Sequence, residues 1–444
     1  MTTTPTTTAW SARDGIRYGL LGLPLAFVAL PLYVVLPNYY ARELGVPLAT
    51  LGALLLGARL FDAVIDPWLG RSCDRLFAGG TVRLLRVCMA AALVLALGFV
   101  GLFFPPVRGN ALVLWAALAL VLTYTAYSMV SVAHQSWGAR LGGDALQRSR
   151  IVAWREGLGL AGVLLASVLP VVAGIGASTA VFMLALAAGM AAWTRSPKPV
   201  AGLGVATTAP QHTAAYMAAH TVPAGAPAAL WMPLARPGFA VLLGVFVLNG
   251  IASAIPATLV LFFIQDLLQA PKQFEGLFLT AYFLAAALSI PLWLRAVARW
   301  GLCRAWLGSM LLAVAVFVWA ANLGSGDVLP FMLVCALSGV ALGADLAVPP
   351  ALLAGLIQAN GDHGQGEGAY FGWWNFATKL NLALAAGIAL PLLQWWGYSP
   401  GNRDPDALHT LTLAYCLLPC LLKTAAAASL YFLIIQPAKA QEPA

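Results

Sequence analysis

The sequence predicts an all-α membrane protein: twelve transmembrane helices arranged as two six-helix bundles. Three observations carry this. The 444 residues are 61% hydrophobic and only 9% charged, whereas soluble domains carry roughly 25% charged residues. The chain therefore lacks the charge to cover a water-facing surface. About twelve apolar stretches reach the roughly 20 residues needed to cross a bilayer as a helix. A long polar break then divides those stretches six and six.

In chain order the stretches lie near 16–42, 47–70, 82–105, 111–138, 150–175, 177–194, 237–265, 273–295, 302–322, 328–357, 367–397 and 407–436. Prolines inside them (Pro24, Pro31, Pro170, Pro256, Pro349 and Pro350) are tolerated because neighbouring helices re-satisfy the freed backbone groups. Alternation of strand type with a turn every ten residues or so is missing, which argues against a β-barrel. The break, RSPKPVAGLGVATTAPQHTAAYMAAHTVPAGAPAALWMPLAR at 195–236, is rich in Pro, Ala and Gly and carries little charge. It reads as a cytoplasmic linker between an N-terminal bundle, 1–194, and a C-terminal bundle, 237–444. GRSCDRLFAGGTVR joins spans two and three, and RAVARWGLCR joins spans eight and nine, offset by close to half the chain. Twelve spans, a mid-chain linker and this echo imply the parallel repeats of a major facilitator fold.

The remaining composition narrows the class. A net charge of +8 spread over the whole chain forms no dense patch, so no nucleic-acid partner is expected. With both termini cytoplasmic, about seventeen basic residues fall on the inner side against about four on the outer, the bias that orients membrane proteins. MTTTPTTTAW at the N-terminus is polar and precedes no short apolar core with a cleavage site, so no removable signal peptide is expected. Cys73, Cys88, Cys303, Cys335, Cys416 and Cys420 form no CxxC or Cys/His cluster and read as buried small hydrophobes. His134, His212, His220, His363 and His409 are scattered with no partner motif, which argues against a membrane-embedded enzyme.

Ionisable residues inside spans are the best pointers to a site, because a charge at mid-membrane costs at least about 2.5–3.5 kcal/mol. They are Arg59, Asp62, Asp66, Arg155, Glu156, Asp345, Lys379 and Lys423. Asp62 and Asp66 are one turn apart on one helical face, which Arg59 joins three residues earlier. Two carboxylates against one guanidinium leave a negative surplus that a hard cation such as Na⁺, or a proton, can neutralise. Pro67 leaves the carbonyl of Ala63 without its helical partner, a further oxygen ligand. Lys379 lies one turn beyond Asn375 in the second half and is expected to face the aspartates across a central cavity. The opposing reading places Asp66 in an end-of-helix network with Arg71, Asp74 and Arg75, and makes Lys379 a snorkelling lysine. Arg155 and Glu156 suit a local salt bridge, Asp345 a helix interface, and Lys423 has no partner legible in the sequence. Tyr33, Tyr39, Tyr40, Tyr124, Tyr127, Trp137, Tyr370, Trp373 and Trp374 offer aromatic faces to a solute or to the membrane interface.

ARLFDAVIDPWLG, residues 58–70, resembles the second-helix signature of the glycoside–pentoside–hexuronide:cation symporters, the group containing the melibiose carriers. YTAYSMVSVAHQSW, QRSRIVAWREGLGLAG and GEGAYFGWWNFATKLNLALAAGIALPLL match the same family in spans four, five and eleven, so the similarity covers most of the chain. The resemblance implies that Asp62 and Asp66 are coupling-cation ligands, Lys379 the central lysine and Arg155 the span-five arginine. Two departures stand out. Ala26 occupies the place of a sugar-binding Asp in span one, and Ser128 that of an Asp in span four.

The expectation is therefore a secondary transporter and not an enzyme: Na⁺- or H⁺-coupled symport of a small organic solute, sugar-like or less polar, by alternating access. Asp62, Asp66 and Ser128 are the expected cation ligands. Arg59, Tyr124, Arg155, Trp374, Asn375 and Lys379 are expected to serve substrate and coupling. No cofactor is expected beyond the ion. The protein is expected as a monomer, multi-pass in the inner membrane. The alternative is a proton-driven exporter of amphipathic compounds or lipids.

Overall fold

A computed structural model describes residues 10–199, 230–398 and 401–437. Most of the expected linker, 200–229, lies outside the described residues, as does the side chain of Tyr33. Twelve helical bodies are present among the described residues, and no strand.

The first body, α1 over 12–42, is broken. Ala12–Gly19 starts on a capping box in which Ser11 and Asp14 satisfy each other's backbone donors. Gly22–Leu30 and Leu36–Arg42 flank a wide π turn at Pro31–Val35, where Pro31 supplies no N–H to the helical ladder. The rest of the first half is α2 (Leu48–Ala78), α3 (Thr81–Phe103), α4 (Asn110–Arg140), α5 (Ala145–Val172) and α6 (Gly174–Thr194). After a short turn at Met232–Ala235 the second half follows. It comprises α7 (Phe239–Phe262), α8 (Gln273–Trp300), α9 (Leu302–Ala320), α10 (Val328–Ala359), α11 (Glu367–Trp395) and α12. α12 joins Pro405–Thr412 and Leu418–Leu430 through the π turn Leu413–Leu417.

Nine helical stretches among the described residues are long and apolar enough to cross a membrane. Hydroxyl side chains within the helices largely serve the backbone. Thr123 donates to the Ala119 carbonyl at 2.6 Å and Ser178 to the Gly174 carbonyl at 2.8 Å, which hides each hydroxyl from its apolar surroundings. Cys73, Cys88, Cys335, Cys416 and Cys420 are buried.

The segment expected as a loop after span two is helical through Ala78, and the chain turns only at Gly79–Gly80, where Gly80 takes a φ of 97°. That extension carries Asp74 onto a helix. The halves meet where α2 packs along α11 and where α5 packs against α8 and α10. At the first seam the backbones touch. A Cβ on Gly70 would lie 2.1 Å from the Gly368 carbonyl oxygen, and one on Gly372 would lie 2.7 Å from the Asp66 carbonyl oxygen. Small residues permit this approach, as at helix interfaces within membranes.

Candidate functional site

The close α2–α11 seam sets Lys379 of α11 against the acidic face of α2. Its ammonium lies 2.7 Å from Asp62 Oδ1 and 2.8 Å from Asp66 Oδ2. It also donates to Ser128 Oγ at 2.7 Å and to the Asp62 carbonyl at 3.1 Å. Ser128, on α4, in turn donates to Asp62 Oδ1 at 2.8 Å. Asp62 and Asp66 are buried, at 2% and 0% exposure. The contact with Asp66 is an ion pair outside hydrogen-bonding direction, and Asp66 Oδ1 has no hydrogen-bond partner among the described residues. Three helices from both halves thus converge on one cluster of two carboxylates and one ammonium. With both carboxylates ionised, its formal charge is −1. Carboxylate and hydroxyl oxygens are the donor set of a hard cation, and the unpartnered Asp66 Oδ1 is a free lone-pair site for an ion or a proton.

One sequence reading changes at this cluster, that of Asp66 as part of the helix-end network: it pairs with Lys379, while Asp74 pairs elsewhere. Arg59 is exposed and interacts with the Tyr124 hydroxyl, which also lies near Asp62.

Beside the cluster, a central cavity of about 590 Å³ lies between the halves. Ser128, Arg155, Trp374, Asn375 and Lys379 line it, as does Ala26. Arg59 and Tyr124 are not among its lining residues; Tyr127, one turn further along α4, is. Arg155 Nε donates to Glu156 Oε1 at 2.9 Å, the local pair expected, and both side chains face the cavity. Trp374 stacks on Phe246 with ring centroids 3.8 Å apart, which fixes the indole as a rigid wall.

Below the cluster, at the end of α2 and the start of α11, a second set of charges ties the halves together. Arg140 donates hydrogen bonds to Asp74 Oδ1 at 2.8 Å and to the Gly364 carbonyl at 2.6 Å, and its Nε forms an ion pair with Glu367 Oε2 at 3.0 Å. Asp74 also accepts from the backbone N–H groups of Gly368 and Ala369, each at 2.8 Å, placing a carboxylate on the positive end of α11. On the second-half side alone, Arg236 grips Asp362 through bonds of 2.9 and 2.6 Å. Sequence reasoning missed Asp74, Arg140 and Glu367 as site residues, because each sits at a helix end where charge is ordinary. The spacing of Asp74 eight residues beyond Asp66, close to the same side of a helix, was the available signal.

Lys423 finds its partner in the structure. Its ammonium bonds Asp345 Oδ2 at 2.9 Å and Ser253 Oγ at 2.9 Å. Asp345 Oδ1 accepts from Trp306 Nε1 at 2.8 Å and from Asn249 Nδ2 at 3.2 Å. This network sits inside the second half, beside an apolar pocket of about 310 Å³.

Two six-helix halves, a cavity between them and a buried ion cluster across their seam define the architecture of a major facilitator protein. The chain belongs to the MFS/sugar transport protein family, whose model matches residues 17–436. It is similar to inner membrane symporter YicJ of Escherichia coli (strain K12), 27% identical over 164 residues, 36% of this chain and 35% of that one. YagG of the same organism, named there as a candidate glycoside/cation symporter, is 29% identical over 174 residues, 38% of this chain and 37% of that one. These alignments span little more than a third of the relatives' length. Among solved structures, a bacterial homologue of the iron transporter ferroportin in the outward-facing state superposes with a TM-score of 0.66 at 16% identity, over 94% of this chain and 98% of that one. FucP, in the outward conformation, gives 0.60 at 12% identity over 94% and 98%. At these identities the likeness concerns the fold.

Proposed function

We propose that the protein is a secondary active transporter in which Na⁺ or H⁺ drives uptake of a small hydroxylated solute through the central cavity. The observation that carries this reading is Lys379, an ammonium from one half held by two buried aspartates of the other. An arriving cation or proton competes with Lys379 for Asp66 and Asp62. Once the lysine is displaced, the electrostatic tie between α2 and α11 is lost, and the seam is free to open. Ion occupancy and rocking of the halves are thereby linked. Solute binding at Arg155, Trp374 and Asn375 favours the same conformation, so each ligand raises the other's affinity. The named symport activity of the relatives supports the same class. In this reading the protein works as a monomer in the inner membrane with both termini cytoplasmic.

Proteoliposomes test the mechanism. A Na⁺ gradient or a pH gradient should drive accumulation of one member of a radiolabelled glycoside panel, and Asp66→Asn should reduce this to equilibration. Gradient-driven accumulation that persists in Asp66→Asn sinks the reading. The apolar pocket in the second half favours one alternative, proton-driven export of amphipathic compounds. Accumulation only in inverted vesicles with an acidic lumen, as protons flow out, would select it.

A further inference from the structure

We propose that the apolar pocket of the second half is a side pocket of the central site. It takes the apolar substituent of a solute whose hydroxylated head lies in the central cavity. The identity of the head rests on the symport reading above; the pocket does not. The ligand class is an amphipathic glycoside, with an aryl or short alkyl group on its linkage oxygen.

Four observations converge. First, the pocket is roomy enough for an apolar group. An apolar cavity of roughly 150 Å³ suffices for a benzene ring; this one offers about 310 Å³. Its walls include Val260, Phe278, Phe283, Val314 and Phe317, a lining suited to an apolar group. Second, it adjoins the central cavity. Ser253, Tyr282, Leu342 and Asp345 line both.

Third, the junction is built to meet a linking oxygen. Asp345 already accepts from Trp306, Asn249 and Lys423. Lys423 has three N–H donors and spends two, on Asp345 and Ser253. Its third points to no partner among the described residues and is available to an acceptor at the mouth. Fourth, the central cavity presents Asn249 and Asn381, 3% and 4% exposed, whose Oδ1 atoms have no partner among the described residues. A buried acceptor left unpaired is unfavourable, and a solute hydroxyl would satisfy each. Hydroxyl donors are thus wanted on the cavity side, an oxygen at the junction and apolar surface behind it.

The experiment uses full-length protein in lipid nanodiscs. Methyl and phenyl β-glucosides, β-galactosides and β-xylosides are titrated, together with benzyl alcohol, against wild type and Val314→Phe. The phenyl compound should bind about ten-fold or more tightly than its methyl partner, as expected for burying a ring. Val314→Phe, which fills the pocket, should abolish that advantage and leave methyl binding unchanged. An independent readout requires no variant: Cys335 and Cys420 line the pocket, so N-phenylmaleimide labelling of both, read by mass spectrometry, should be blocked by phenyl glycoside and not by methyl glycoside. Equal affinities in wild type, or a phenyl advantage that survives Val314→Phe, overturn the proposal; the latter places the ring against lipid. If no glycoside binds, the symport substrate reading fails by itself. Protection of Cys420 by benzyl alcohol would then uphold the pocket, and absence of that protection would overturn it too.

Discussion

Asp62, Asp66 and Lys379 show how charge is kept inside an apolar bundle. Each alone would be expensive in a low-dielectric interior, and together they share three N–H donors among carboxylate, hydroxyl and carbonyl oxygens. Their presence was legible, since charges interrupt otherwise apolar spans. Their pairing was not, because Lys379 and Asp62 stand 317 residues apart and no local pattern encodes that contact. The same holds for Lys423, which had no partner by sequence and bonds Asp345, 78 residues earlier. Removing one member of such a buried pair leaves the other uncompensated. Lys423→Met should therefore cost about 3–5 kcal/mol, read as a lower apparent Tm in detergent. Lys423→Met combined with Asp345→Asn should recover most of the loss. An unchanged Tm in the single variant would show that the pair does not hold α12 to α10.

Among the helices, the α2–α11 seam decides whether the cluster exists. Gly70, Gly368 and Gly372 let two backbones approach until a Cβ would collide with a carbonyl, and this closeness brings Lys379 within reach of both aspartates. Replacing Gly372 with Leu should force the helices apart at the level of Asp66. Spin labels at Arg83→Cys and Ala359→Cys, both near the end that Arg140 ties shut, should then show a longer distance distribution than in the Gly372 protein. An unaltered distribution would mean that the seam tolerates bulk and that α2 and α11 are held by the charges alone. The helix boundaries were readable to within a turn or so for most spans. α2 ran further than its apolar stretch because RSCDRLFA holds no Gly or Pro to stop it, and that extra length positions Asp74 on α11.

The whole molecule is two bundles joined by ionic contacts at two levels, one in the cavity wall and one at the helix ends. Both join residues of α2 and α4 to α11, so opening one level strains the other, a geometry suited to concerted rocking. The proposed orientation, with both termini cytoplasmic, rests on the distribution of basic residues and can be tested directly. An Arg108→Cys variant, at an exposed turn between α3 and α4, should react with an impermeant maleimide in intact cells. Asp144→Cys, exposed at the start of α5, should react only after permeabilisation. The reverse pattern would invert the topology and the direction of transport with it.

Composition and hydrophobic length, both local quantities, were enough to read the class of fold and to single out Asp62, Asp66, Lys379, Asp345 and Lys423 as charges inside spans, while the buried charges at helix ends, Asp74, Arg140 and Glu367, escaped them. Who pairs with whom came from the folded chain: Lys379 with the aspartates, Arg140 with Asp74 and Glu367, and Lys423 with Asp345. So did the apolar pocket that opens beside the central cavity. Partnerships and voids arise from the packing of helices distant in the chain, and the free energy of a buried charge depends on the partner that packing supplies.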